Sequence, residues 1–256
     1  MYKNNFNTQK YLLKTVSTLA LLLLPILSFA QNLKVAAAAN LQSVIKILQE
    51  DFEQKTKIKI DPIIGASGNL TNQIKNGAPF DLFLSADMNF PEQLNQAGFT
   101  TSKPVVYTLG SLIICSNQNL KLDNWQQLLQ IDAIQKIALA NPETAPYGKA
   151  AKEVLSRKKI LVKVQSKVVY GESISQVNIY ITTGAAQVGF TTEALSSDVA
   201  GKQKLYWKKI PATDYQPIKQ GMVILKHGEK NPQAKQFFKY MQSASAKNIL
   251  KKYGYK

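Results

Sequence analysis

The chain has 256 residues, with 32 basic against 16 acidic ones, a formal net charge of +16 and 45% apolar residues, which gives a globular protein of one large or two modest domains. A single cysteine, Cys115, excludes an intramolecular disulfide, and a single histidine, His227, leaves little basis for catalysis or metal binding built on His/Cys clusters. Of the basic residues only Arg157 is arginine, and the lysines are scattered, so the charge reads as a solvated surface and not as a nucleic-acid-binding face.

Lys3, Lys10 and Lys14 form a basic leader ahead of an apolar run from Leu19 to Leu27. Ser28-Phe29-Ala30 supplies small residues at the −3 and −1 positions of a cleavage site. The run is short for a membrane span and Pro25 interrupts it. A signal peptide over residues 1–30, cleaved after Ala30, is therefore expected, with export of the mature chain. No cysteine follows the cleavage site to carry a lipid.

Lys34 to Ala38 predicts the first strand. Leu41, Val44, Ile45, Leu48 and Phe52 then recur at the helical interval, to about Thr56, and Asn40 stands where an N-cap belongs. Lys57 to Ile64 predicts a second strand. A helix is expected from about Asn69, ended by Gly77 and Pro79. Asp81 to Ser85 predicts a third, buried strand, and β-α-β-α-β argues for a doubly wound α/β lobe.

The second half repeats this logic. Ser111 to Cys115, Lys136 to Leu139, Lys167 to Tyr170 and Gln187 to Thr191 predict strands. Trp125 to Leu129 predicts a short helix. Ala151, Val154 and Leu155 mark one helical face, and Ile174, Val177 and Ile181 another. Lys204 to Lys208 and Gly221 to Leu225 are late strands. Asn231-Pro232 opens the closing helices, which carry Phe237, Phe238, Met241, Ile249 and Leu250. The expected division is lobe I over 31–110 plus 220–256 and lobe II over 111–219, with a ligand cleft between them.

Four strand-to-helix turns carry the candidate chemistry: Ala39-Asn40, Ala66-Ser67-Gly68, Pro146-Tyr147-Gly148 and Glu172-Ser173-Ile174. Each offers backbone N–H groups at the positive end of a helix dipole. Converging from two lobes, they would form a neutral cage of donors suited to a small, fully ionised oxyanion. Taken singly, each is also explained as ordinary capping. Enzyme patterns fail by comparison. Gly65-Ala66-Ser67-Gly68-Asn69 has Asn where a nucleophile elbow needs its second flanking glycine, and no Walker A or dinucleotide-binding glycine pattern occurs. Asp81 and Asp87 read as strand-end and turn residues.

VAAAANLQ at 35–42, GASGNLTNQIKNGAPFDLFLSAD at 65–87, ANPETAPYGKAAKEVL at 140–155 and LKKYGY at 250–255 resemble the periplasmic molybdate-binding proteins of ABC importers. The resemblance implies a two-lobed, type II periplasmic-binding fold that binds molybdate or tungstate and delivers it, as a monomer, to a membrane permease. It implies no cofactor, no bound metal cation and no nucleic-acid partner. By position, it implies ligand contacts at Asn40, Ser67, Tyr147 and Ile174, with Ala39 and Thr192 as further candidates. Asn40 holds a place often occupied by Ser, and Tyr147 replaces a small residue of some members, with a contact expected through its N–H or its hydroxyl. Thr192 stands where some members place a ligand-contacting Tyr and is shorter. The alternatives are a same-fold receptor for sulfate, another small anion or ferric iron, and, further off, an exported enzyme.

Overall fold

A computed structural model describes residues 32–256, which form one compact unit. The expected signal peptide and its cleavage site lie outside the described residues. No helix among those described is long and apolar enough to cross a membrane.

The first sheet begins with β1 (Leu33–Ala38), a 3-10 turn (Ala39–Leu41) and helix α1 (Gln42–Thr56). Next come β2 (Ile60–Gly65), α2 (Ser67–Lys75), β3 (Leu82–Leu84), α3 (Asn89–Gln96) and β4 (Val105–Gly110). The chain then crosses to a second sheet with β5 (Leu112–Ser116), α4 (Trp125–Leu128), β6 (Ile137–Ala140), α5 (Pro146–Arg157) and α6 (Leu161–Val164). That sheet continues with β7 (Val168–Gly171), α7 (Ile174–Thr182), β8 (Val188–Thr192), α8 (Ala194–Asp198) and β9 (Tyr206–Lys209). The chain returns through β10 (Ile218–Ile224) and closes with α9 (Pro232–Tyr240) and α10 (Ala244–Lys252).

The strand orders are β2-β1-β3-β10-β4 and β7-β6-β8-β5-β9. Each sheet has a parallel trio joined by βαβ crossovers and one strand that runs against it, β10 in the first sheet and β5 in the second; the edge strands β4 and β9 are antiparallel to those and so point the same way as the trio. The sheets are thus mixed. The β-α-β-α-β pattern identifies only the parallel part, because strands that arrive by crossing from the other lobe carry no local signal of direction.

Apolar periodicity explains the packing of each lobe. Val44, Ile45, Leu48 and Phe52 form the buried face of α1, as their spacing requires, and Phe52 meets Phe237 of α9 edge-on with ring centroids 5.0 Å apart. Each such side chain contributes roughly 1.5–3 kcal/mol by leaving water. In the second lobe Trp125 packs edge-on against Phe190. The core of that lobe runs on without a break to Ala38, Ala39 and Ala86 of the first. Small residues there let the two sheets approach where their helix starts meet.

Candidate functional site

The cavity between the sheets is small, about 10 Å³, and is lined by Ala38, Ala39, Asn40, Ala66, Ser67, Ala86, Ala145, Pro146, Tyr147 and Ile174. Five of the six candidate residues meet here: Ala39, Asn40, Ser67, Tyr147 and Ile174. The sixth, Thr192, is buried outside the lining, and its Oγ1 lies 3.3 Å from the Tyr147 hydroxyl as a hydrogen-bond donor. No lining residue is acidic or basic.

Three of the four helix starts around the cavity have no side-chain cap. The 3-10 turn before α1, and helices α2 and α5, begin after Ala38, Ala66 and Ala145, none of which caps. α2 begins at Ser67, two residues before the sequence suggests, because Ser67 and Gly68 take up helical geometry although neither favours helix interiors. Only α7 is capped, by the Ser173 hydroxyl accepting from the Gln176 N–H at 3.4 Å. First-turn N–H groups have no intrahelical acceptor. Those of Asn40, Ser67, Tyr147 and Ile174 therefore depend on something outside their own helices, at four positive dipole ends.

The Ser67 hydroxyl oxygen accepts from the Ala86 N–H at 3.0 Å, which leaves its proton to donate. Asn40 departs from expectation. It lies within the 3-10 turn, and its side chain does not cap the following helix. Its Nδ2 instead donates to Gln220 Oε1 at 2.9 Å and to the Tyr255 hydroxyl at 3.2 Å, while its Oδ1 has no partner among the described residues. The Tyr255 hydroxyl donates in turn to the Asn40 carbonyl at 2.6 Å. The Tyr147 hydroxyl also turns from the cavity, accepting from Gln220 Nε2 at 3.1 Å, so its backbone N–H is the donor left at the wall. Burial raises the Tyr147 and Tyr107 phenols well above their ordinary range and pushes Tyr255 up to about 12.

The lobes are tied across the cleft beside the cavity. The Gly68 N–H donates to the Thr144 carbonyl at 2.9 Å, and the Ser175 hydroxyl bonds Gln42 Oε1. A Cβ on Gly68 would lie 2.9 Å from Thr144 Cα. Asp81 and Asp87 serve locally: Asp81 Oδ2 accepts from the Lys34 N–H at 2.8 Å, and Asp87 Oδ1 from the Phe90 N–H at 3.2 Å. A much larger cleft, about 550 Å³, opens beyond Ala145 and Pro146, but Asp87, Glu143 and Glu153 mix with Lys149 and Lys152 along its walls. It brings together the starts of α3 and α5 alone, beside those carboxylates, and suits the mouth of the site better than the site itself. The residues that sequence reasoning missed are Gln220, Tyr107 and Tyr255, all buried and polar. The available signal was a lone amide beside a glycine inside an apolar strand.

The family model for bacterial extracellular solute-binding proteins matches residues 33–256. The molybdate-binding protein ModA of Azotobacter vinelandii is 36% identical over 88% of this chain and 90% of its own. ModA of Rhodobacter capsulatus is 35% identical over 86% of each chain. Among solved structures, the A. vinelandii periplasmic molybdate-binding protein superposes with a TM-score of 0.83 at 33% identity, covering 88% of this chain and 99% of that one. A match along nearly every described residue, and relatives this similar along most of both chains, place the protein in the family of bacterial extracellular solute-binding proteins.

Proposed function

We propose that this protein is a periplasmic receptor that captures molybdate, and tungstate with it, and delivers the anion to an ABC importer permease. It acts as a monomer and without a cofactor, and it binds its ligand without chemical change. The observation that carries the proposal is the cavity wall: four helix starts, three of them without side-chain caps, and no charged side chain. Donors fixed around a dry site favour an anion that needs only acceptors matched, and a tetrahedral dianion with no proton is such an anion. The contacts proposed are the N–H groups of Asn40, Tyr147 and Ile174, with that of Ala39 adjoining, and both the N–H and the hydroxyl of Ser67. Thr192 is assigned to support Tyr147.

A second reading has one atom in its favour. Asn40 Oδ1 is an unpaired acceptor on a cavity-lining residue, which a singly protonated anion such as hydrogen phosphate could use. Titration of the mature protein with molybdate, tungstate, sulfate and phosphate, following the thermal midpoint, separates these readings. A ligand of the folded state raises the midpoint by mass action. Molybdate and tungstate are expected to raise it at concentrations where sulfate and phosphate do not. An equal shift by sulfate, or a larger one by phosphate, rejects the proposal.

A further inference from the structure

We propose that Gln220, in the returning strand β10, is the positioning residue that holds the two halves of the anion site in register. The inference rests on the molybdate reading above.

Gln220 is fully buried, and its one carboxamide joins both lobes. Its Oε1 accepts from Asn40 Nδ2 at 2.9 Å and from the Tyr107 hydroxyl at 2.8 Å. Its Nε2 donates to the Tyr147 hydroxyl at 3.1 Å. Asn40 and Tyr147 belong to opposite walls of the cavity, and the Asn40 amide nitrogen and the Tyr147 hydroxyl are both engaged here, which leaves only Asn40 Oδ1 without a partner. The amide therefore sets where the Asn40 turn and the start of α5 stand relative to each other.

The backbone is built around this arrangement. The pairing of β10 with β4 shifts register between Gln220 and Gly221, and a bulge of that kind re-aims a side chain at a sheet edge or site. Gly221 is pinned on the other side: its N–H donates to the Asp87 carbonyl at 3.2 Å, and its carbonyl accepts from the Ser85 N–H at 2.8 Å. A Cβ there would lie 2.6 Å from Met88 Sδ. Gly110, at the end of β4, leaves the space the Tyr147 hydroxyl fills, since a Cβ would collide with that hydroxyl and lie 2.9 Å from Gln220 Nε2. Thr192 Oγ1 completes the set around Tyr147. A buried polar network in which one carboxamide meets three partners favours one arrangement of its members, with Asn40 Oδ1 the atom left over.

The test compares wild type with Gln220→Leu and Gln220→Glu, measuring molybdate affinity by calorimetry and, separately, the thermal midpoint without ligand. Leu removes both hydrogen-bonding ends, and molybdate binding is expected to weaken roughly tenfold or more at every pH. A protonated Glu reproduces an acceptor and a donor, whereas an ionised one has no donor for Tyr147 and adds negative charge. The titratable groups facing this position are Tyr107, Tyr147 and Tyr255, all held protonated by burial. Gln220→Glu is therefore expected to bind near the wild-type level at about pH 5 and to weaken toward about pH 8, while wild type changes little. Gln220→Leu protein that binds within about twofold of wild type, whatever its midpoint, overturns the inference and leaves the molybdate reading standing. Wild type that binds no molybdate overturns that reading, and this inference with it.

Discussion

The two walls of the cavity present donors by different means. The wall from the first lobe, Asn40 and Ser67, includes a side-chain hydroxyl whose oxygen is already held by the Ala86 N–H. The wall from the second lobe, Tyr147 and Ile174, presents only backbone: one side chain is apolar and the other hydroxyl is held by Gln220. Recognition by the first wall can thus be altered by a single side chain. Recognition by the second depends on where α5 and α7 begin, and hence on the packing beneath them.

Breaking the second wall therefore means moving a helix. A Cβ at Gly148 would overlap the Ala140 carbonyl at the end of β6. Gly148→Ala is expected to destabilise the fold by about 2–4 kcal/mol, read by chemical denaturation, and to remove anion binding. Breaking the first wall takes one oxygen. Ser67→Ala should lower the unliganded stability by about 1–3 kcal/mol, because it orphans the buried Ala86 N–H, and weaken molybdate binding by about 1.5–3 kcal/mol, the usual range for a hydrogen bond to a charged partner. Unchanged affinity would remove the hydroxyl from the site.

The seam between the walls is the next point of attack. Gly68→Ala inserts a methyl group against Thr144 Cα, where the lobes share a backbone hydrogen bond. Affinity should fall by about 1 kcal/mol, mainly through faster release, with folding of the separate lobes little affected. Stopped-flow release rates would show this. The mildest change sharpens the contrast. Ile174→Val keeps the N–H and most of the apolar surface, so calorimetry should find affinity within about threefold of wild type. A larger loss would mean that the second wall reads its ligand through side chains after all.

Much of this molecule is legible in its sequence because the signals are local. The inward face of α1, the Asn231-Pro232 helix start and the apolar strands β1 and β3 follow from spacing and capping chemistry, as does the turn at Gly77, whose φ of +87° suits glycine. The cage of helix starts could be anticipated because each turn carries its own small and polar residues. What escaped has distant causes. Asn40 looks like an N-cap from its neighbours, but its hydrogen-bond partners are 180 and 215 residues away. β4 goes unanticipated as a strand because it runs into β5 with only Ser111 between them. The antiparallel strands are fixed by the lobe crossings, which periodicity does not report.

The central claim is that a small tetrahedral anion sits among these helix starts, and a crystal structure of the protein with molybdate tests it directly. The expected result is the anion in the cavity, with Ser67 Oγ and the N–H groups of Ser67, Asn40, Tyr147 and Ile174 within about 3 Å of its oxygens. Molybdate bound instead in the outer cleft, against Lys149 and Lys152, with the cavity left to water, would contradict it.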